Sequence, residues 1–289
     1  MTWEEAILDA SSRLESEIKD ATRNAEYLAL HVLQLWNRTE MRKFLGTTLT
    51  PEEEATYHEL VSRRLKQEPL QHITGETEFF GMRFFTSPAA LIPRPDTEIL
   101  VEETLKIAAV YSKKELRILD IGTGSGIIAL VLGSKLPIAK SMGIDISAEA
   151  LQLAEKNKER LGISNVTFKQ VDIFDETIEN IFSEKIDIIV SNPPYIAAED
   201  VGTLDVEVRN YDPRIALTDE FDGLRFYRRI AEIAPKILDP DSRILVEIGF
   251  DMAEKVRKIF SDKGFTVLDV VKDLQGIDRV MIMKQEIGK

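Results

Sequence analysis

The chain has 289 residues, 44% hydrophobic and 30% charged, a composition typical of a soluble globular protein with one large domain or two unequal ones. Its net charge of -13 gives no general attraction for phosphate backbones, which weighs against DNA or RNA as the main substrate. It contains no cysteine, which excludes disulfides, thiolate zinc sites and thiol nucleophiles. No signal-peptide pattern and no apolar run of membrane-spanning length are found, so we expect a cytoplasmic protein without a membrane partner.

The first part of the chain, residues 1–72, is predicted to be a helical domain. Apolar residues such as Ile7 and Leu14 recur near helical spacing. Thr50–Glu53 is a typical helix start, with threonine as N-cap, proline at the first helical position and glutamate at the third. The segment is too short for a catalytic domain, and its sequence leaves open whether it is a structural cap or a docking module.

Residues 73–92 change in character and are interpreted as a linker. Glu78–Phe85 is rich in aromatic residues around Gly81, which predicts a β-hairpin.

From about residue 115, strands and helices alternate, which predicts a doubly wound α/β sheet with right-handed crossovers. A final antiparallel pair is predicted at Thr266–Asp269 and Asp278–Met283. Strands are predicted at Arg117–Asp120, Lys140–Asp145, Val166–Gln170, Ile186–Ser191 and Arg243–Ile248, and helices at Gly126–Lys135, Ala148–Leu161, Gly223–Leu238 and Asp251–Lys263.

A glycine-rich loop, Asp120–Gly126, occupies the first turn from strand to helix. Its glycines let the backbone turn sharply and come close to a ligand. A G-x-G-x-x-G dinucleotide fingerprint starting at Gly122 would end at position 127, where Ile127 stands. The spacing G-x-G-x-G after an acidic residue is instead associated with enzymes that use S-adenosylmethionine (SAM), although NAD stays open on this feature alone. The predicted cofactor-binding residues are Gly122, Thr123, Gly124, Ser125 and Gly126.

Two acidic positions follow the next two strands. Asp145 ends the second strand, where a carboxylate can accept hydrogen bonds from both ribose hydroxyls; the alternative is a helix-capping or surface aspartate. Asp172 and the N–H of Ile173 follow the third strand and can recognise the edge of adenine.

The sequence Asn192-Pro193-Pro194-Tyr195 follows a buried strand, Ile186–Ser191. Proline has no N–H to donate to a sheet, so the chain must leave at the carboxyl edge, where open α/β sheets bind ligands. Pro194 also restricts Pro193 to an extended conformation. The Asn192 amide oxygen and the Pro193 carbonyl oxygen then form a rigid pair of acceptors beside the Tyr195 ring, which suits a flat NH2 group. We predict Asn192, Pro193 and Tyr195 as catalytic, Pro194 as a further substrate contact, and Asn192 as also touching the cofactor.

These motifs, in this order, resemble those of the amino-methyltransferases that use SAM. Alone they do not choose among adenine in DNA, guanine in ribosomal RNA and glutamine in protein, since each presents a planar NH2. The rest of the chain, from about residue 20 to 283, resembles the HemK/PrmC family, the protein-glutamine N5-methyltransferases of class 1 peptide-chain release factors. The resemblance is carried by Pro69–Gly75, Glu78–Phe84, Leu91–Glu98, Tyr211–Leu217, Asp222–Leu224 and Leu274–Arg279. One departure is Met252, where the family often has glutamine.

The resemblance implies a helical domain at 1–72, a hairpin linker at 73–92 and, at 93–289, a seven-stranded Rossmann-like methyltransferase domain that uses SAM. The implied substrate is the glutamine of the Gly-Gly-Gln motif of a release factor. Arg94 lies between two prolines and is predicted to face the substrate at the mouth of the site, with a salt bridge to Asp96 or Glu98 as the alternative.

Two other functions stay open. A nucleic-acid amino-methyltransferase would need a basic groove or a recognition domain, yet residues 1–90 carry 10 Lys and Arg against 15 Asp and Glu, so no direct nucleic-acid substrate is expected. A SAM-binding module without catalysis would not need Asn192 and Tyr195. No metal is expected, because the three histidines show no ligand spacing.

A long stretch, 196–222, separates the Asn-Pro-Pro-Tyr segment from the next predicted helix, and such stretches are often functional lids. Glu207, Tyr211 and Arg214 are its candidates for gating or partner contact.

Overall fold

The computed structural model describes residues 1–111 and 115–286. They form two compact units: the first comprises Met1–Glu76 and Asp205–Tyr211, and the second comprises Thr77–Leu204 and the chain from Asp212 onward. No helix in these described ranges has both the length and the apolar character needed to cross a membrane.

The helices and strands are numbered in chain order. The helices are α1 (Trp3–Leu14), α2 (Ala21–Val32), α3 (Arg38–Met41), α4 (Pro51–Leu65), α5 (Leu70–Thr74), α6 (Thr97–Ala109), α7 (Ile127–Lys135), α8 (Ala148–Leu161), α9 (Val206–Tyr211), α10 (Arg214–Leu217), α11 (Arg225–Ile237) and α12 (Ala253–Ser261). The strands are β1 (Glu76–Phe79), β2 (Met82–Phe85), β3 (Arg117–Ile121), β4 (Lys140–Asp145), β5 (Val166–Gln170), β6 (Ile186–Ser191), β7 (Leu238–Glu247), β8 (Phe265–Lys272) and β9 (Asp278–Gln285).

The first unit is a helical bundle, as its apolar spacing predicts. The predicted start of α4 is confirmed: Thr50 caps the helix, and its N–H donates to the Glu53 carboxylate at 2.7 Å. The buried core includes Trp3 and Tyr57, whose rings meet edge to face with centroids 5.5 Å apart.

The predicted lid sequence, 196–222, contains the 3₁₀ helix Val201–Thr203 and two short α-helices, α9 and α10, and α9 belongs to the first unit. Glu207 in α9 forms an ion pair with Arg64, a buried guanidinium of α4. The Tyr211 hydroxyl donates to the Lys66 carbonyl at 2.8 Å. Glu207 and Tyr211 are therefore engaged within the helical unit.

The predicted hairpin is present as the two-stranded sheet β1–β2. Its turn residues Phe80 and Gly81 have φ angles of 53° and 71°, and positive values at both positions define the type I′ turn that matches the twist of hairpin strands.

The second unit is built on a seven-stranded sheet with the order β5-β4-β3-β6-β7-β9-β8. Strands β3 to β7 are parallel, while β9 runs antiparallel to both β7 and β8. The doubly wound architecture and the final antiparallel pair are thus confirmed.

One strand differs from its prediction, because β7 begins at Leu238, where the predicted helix was still continuing, and not at Arg243. Its register with β6 shifts between the pairs formed by Ile186 and Ile188. Pro240 lies in this irregular part, and because proline has no N–H to donate to a neighbouring strand, it fits the break in regular pairing there.

The strand order reverses between β3 and β6, which lie side by side. Their register pairs Ile121 with Ser191, the last residue of each strand. The glycine-rich loop and the Asn-Pro-Pro-Tyr segment therefore leave the sheet next to each other, at the kind of switch point where open α/β sheets bind ligands.

Gly223 is a position where an added methyl group should be severely destabilising. Its φ is +74°, and a Cβ there would lie 2.2 Å from the carbonyl oxygen of Tyr195. Because that oxygen belongs to the backbone, relief requires the Asn-Pro-Pro-Tyr corner to move, and we expect Gly223→Ala to lose roughly 3 kcal/mol or more of the free energy of unfolding. Chemical denaturation measures this. The matched control is Gly202→Ala, where a Cβ meets nothing within 4 Å; equal midpoints for the two variants would contradict the prediction.

Candidate active site

The glycines of the glycine-rich loop lie in two different environments. Gly122, Gly124 and Gly126 all have positive φ. A Cβ on Gly122 would meet nothing within 4 Å, so the backbone there is bare toward open space. A Cβ on Gly126 would lie 2.6 Å from the Phe168 ring. Gly122 thus leaves open space beside the backbone, whereas Gly126 allows close packing at the start of α7.

Asp120 lies fully buried beneath this loop. It accepts hydrogen bonds from the Thr123 hydroxyl at 2.6 Å and from the Ala129 N–H at 3.2 Å. Burial raises the pKa of the Asp120 carboxyl to about 7, against the opposing effect of these two donors. The carboxylate ties the loop to the first turn of α7.

Asp145, at the end of β4, faces the loop. Its two carboxylate oxygens accept from the N–H groups of Gly124 and Ser147, each at 2.9 Å. A carboxylate has about four acceptor positions, so each oxygen keeps one for a ligand hydroxyl.

A cavity of about 540 Å³ lies at this edge of the sheet, within the range of small-molecule sites. Of the residues assigned to the site from sequence, those lining it are Gly122, Thr123, Gly124, Ser125, Asp145, Asp172, Ile173, Asn192 and Pro194. Arg214, predicted as a gating or partner residue, also lines it, and its guanidinium pairs with the Glu220 carboxylate at 2.6 Å. Gly126, Pro193, Tyr195 and Arg94 are not among the lining residues. Lining residues that sequence reasoning missed include Ala90, Leu91, Thr97, Phe174, Arg225 and Phe226.

Part of the cavity lining, contributed by the turn after β5 and by α11, is aromatic and cationic. Asp172 accepts from the Phe174 N–H at 2.8 Å, which orders the turn. The Arg225 guanidinium lies 4.0 Å from the centroid of the Phe174 ring, and the Phe226 ring meets Phe174 edge to face at 5.2 Å. These flat groups form a wall suited to a planar ring.

Asn192 lies at the end of β6, half-buried at the cavity surface. Its Nδ2 donates to the Thr97 hydroxyl oxygen at 3.2 Å. Thr97 in turn donates to the carboxylate of Glu247, at the end of β7, at 2.7 Å. Neither partner was assigned a role from sequence, although Thr97 stands within the Leu91–Glu98 signature.

Tyr195 turns toward β7. A Cβ on Gly249 would lie 3.0 Å from the Tyr195 ring, and the Tyr195 hydroxyl donates to Glu247 at 3.4 Å. Burial raises the pKa of the Tyr195 hydroxyl, with the Glu247 carboxylate adding to the shift. At Met252, where the family often has glutamine, the sulfur lies 2.8 Å from the position that a Cβ on Gly249 would occupy.

Arg94 is exposed and forms an ion pair with the buried Asp212 at 3.6 Å. The carboxylates that sequence suggested as its partners are engaged elsewhere. Asp96 pairs with Arg279 at 3.1 Å, and Glu98 accepts from the Phe80 N–H at 2.7 Å.

Comparisons with known proteins give matches along most of the chain. The family profile described as "Methyltransferase domain" matches residues 112–271, and that described as "PrmC N-terminal domain" matches residues 5–75. The release factor glutamine methyltransferase of Thermodesulfovibrio yellowstonii is 40% identical over 278 residues, covering 96% of this chain and 98% of its relative. The chain belongs to the release factor glutamine methyltransferase family. A second relative with the same description, from Geobacter sulfurreducens, is 42% identical over 267 residues, covering 92% and 90% of the two chains.

A solved methyltransferase from Pyrococcus furiosus shares the fold of this methyltransferase. It is 18% identical, with a TM-score of 0.52, covering 72% of this chain and 91% of that chain. The family resemblance and the fold class predicted from sequence are both confirmed.

Proposed function

We propose that this methyltransferase transfers the methyl group of SAM to the side-chain amide nitrogen of the glutamine in the Gly-Gly-Gln motif of class 1 release factors. Such a reaction modulates translation termination. Because release factors act in the cytoplasm, we propose that the enzyme works there too. The observation that carries the proposal is that Asn192 and the glycine-rich loop line one cavity at adjacent strand ends. Donor and acceptor sites then meet at the switch point of the sheet.

The cavity residues fit SAM. Open space at Gly122 admits the ligand, Asp145 keeps acceptor positions for the ribose hydroxyls, and Asp172 with Ile173 lies where an adenine edge can be recognised. Bound there, SAM supplies an electrophilic methyl group on a sulfonium and needs no metal.

The protein has to orient a poor nucleophile. A carboxamide nitrogen is weak because its lone pair is delocalised into the carbonyl. Asn192 Oδ1 and the Pro193 carbonyl oxygen accept hydrogen bonds from the two N–H groups of the carboxamide. These bonds fix the nitrogen in line with the methyl group and favour the positive charge that develops on the nitrogen. Pro194 borders the substrate, and Tyr195 stiffens the corner through Glu247. We assign no general base, since the proton can leave after transfer.

The remaining assignments concern the protein substrate. We propose that Arg94 contacts it beside the segment Ala89–Pro93, of which most residues line the cavity. We propose that catalysis belongs to the domain at 93–289, and that the helical domain at 1–72 and the linker at 73–92 support it. The catalytic domain acts on protein and not directly on nucleic acid.

Methyl transfer to a release factor is the decisive test. Purified enzyme with radiolabelled SAM should label release factor but not DNA or ribosomal RNA. Mass spectrometry should locate one added methyl group on the motif glutamine. The control is a release factor with that glutamine replaced by alanine, which should stay unlabelled. Label on either nucleic acid would favour the nucleic-acid alternative, and absence of transfer to any acceptor would favour the non-catalytic binding module.

A further inference from the structure

Glu247 is a charged residue at the end of β7 with 1% of its surface exposed. Burying a carboxylate is unfavourable unless hydrogen bonds compensate. Its two oxygens accept from Thr97 Oγ1 at 2.7 Å and from Tyr195 Oη at 3.4 Å. The proposed transfer chemistry gives Glu247 no direct part.

The hydrogen bonds from Glu247 to the active site run in one direction. The Thr97 hydroxyl has a single proton, and an ionised Glu247 can only accept it. Thr97 Oγ1 is then left as an acceptor for Asn192, and it is Nδ2 that lies 3.2 Å away. Asn192 Oδ1 is thereby left to accept from the substrate.

The direction matters because the two ends of an asparagine amide have nearly the same shape but opposite hydrogen-bonding roles. If Glu247 donated to Thr97, the Thr97 proton would turn to Asn192, and the amide would rotate to present NH2 to the substrate. An NH2 group facing the NH2 of glutamine offers no acceptor and repels the charge that develops on nitrogen.

We propose that Glu247, acting through Thr97, is a positioning residue that selects the rotamer of Asn192 in which the amide oxygen faces the acceptor nitrogen. The assignment rests on the proposed function for its meaning in catalysis. The geometry of the three side chains stands apart from it.

Because Glu247 is ionisable, its proposed role predicts that kcat depends on pH. Burial raises the pKa of Glu247 to about 7 and nearby Asp96 also raises it, whereas Thr97, Arg279 and Tyr195 oppose the shift. The buried Tyr227 of α11 also faces this residue, and its hydroxyl donates to the Glu247 carbonyl at 2.7 Å. The acceptor form is present above the pKa, so kcat at saturating SAM should fall as the pH drops below about 7.

Two threonine variants and one glutamate variant test this. Thr97→Val removes the hydroxyl at nearly constant shape, and we expect kcat at pH 8 to fall roughly 10- to 100-fold, the loss expected for a hydrogen bond to a charged group, with little change in the KM for SAM. Thr97→Ser restores the hydroxyl and should recover most of kcat. Glu247→Gln can donate to Thr97, so it should lower kcat by a similar factor and abolish the acidic limb near pH 7.

The control and a second readout separate positioning from folding. Thr104→Val removes another buried hydroxyl of α6, one that donates to the Leu100 carbonyl, and should leave kcat unchanged. The side-chain NH2 signals of Asn192, assigned by NMR from their loss in Asn192→Ala, should shift with pH in the wild type near pH 7 and not in Glu247→Gln. A wild-type enzyme inactive on release factor but showing this titration would refute the proposed function and keep the positioning role. Equal kcat for Thr97→Val and Thr97→Ser, or an unchanged pH profile in Glu247→Gln, would overturn it.

Discussion

Asn192→Ala is expected to lower kcat for release factor methylation by roughly 100-fold or more, because removing one preorganised transition-state acceptor costs about 3 kcal/mol. The dissociation constant for SAM should change little, since the loop and Asp145 are untouched. The acceptor is also hard to replace: Asn192 is anchored through Thr97, and a water in its place would lack that fixed direction. Single-turnover kinetics with saturating SAM, combined with calorimetric titration of SAM, measure the two quantities separately.

The matched control is Asn180→Ala, which removes an exposed asparagine amide from the 3₁₀ helix Ile178–Ile181, outside the set of cavity residues. It should keep wild-type kcat. Near-normal turnover in Asn192→Ala would show that the corner does not act on the acceptor nitrogen. A parallel loss of SAM affinity and kcat would instead place Asn192 mainly at the cofactor.

Local chemistry made much of the fold predictable. The predicted bounds of β4, β5 and β6 agree with the structure, and β6 is the clearest case, since it is buried along its whole length and is followed by Asn192 and two prolines. Gly81 marked the hairpin because its turn needs positive φ. The start of β7 was not predicted, because its first residues pair irregularly with β6 and include Pro240, which has no N–H to donate.

The site was predictable only as far as it is local in sequence. Asp145 and Asn192 end parallel strands, so topology alone brings them to one edge. Thr97 and Glu247 are 150 residues apart, and no spacing rule links them. For Arg94, the alternative to a substrate contact was a salt bridge to a neighbouring carboxylate, whereas the carboxylate with which it pairs is 118 positions away, counting from Arg94 to Asp212.

Glycine shows the same limit within a single motif. Gly122 and Gly126 look alike in sequence, and both have positive φ. Only the tertiary structure separates the one that faces open space from the one held against Phe168. A motif can therefore predict that a loop binds a ligand without telling which of its residues touch it.

Asp145→Ala is expected to have the opposite effect to Asn192→Ala: the dissociation constant for SAM should rise roughly 100-fold, and kcat at saturating SAM should stay within a few-fold of wild type. Two hydrogen bonds from ribose hydroxyls to a carboxylate contribute about 3 kcal/mol together after non-additivity, and they are made equally in the ground and transition states. Part of the loss comes from the loop, because the Gly124 N–H also loses its acceptor.

Calorimetric titration of SAM and kcat at saturation test this, with Asp175→Ala as the matched control. Asp175 is an exposed aspartate whose carboxylate also accepts from a nearby backbone N–H, that of Thr177, but it does not line the cavity. The control should bind SAM normally. Opposite effects in the two active-site variants would separate cofactor binding on β4 from acceptor orientation on β6. Unchanged SAM affinity in Asp145→Ala would mean that the ribose is held elsewhere, and the cofactor would then have to lie differently in the cavity.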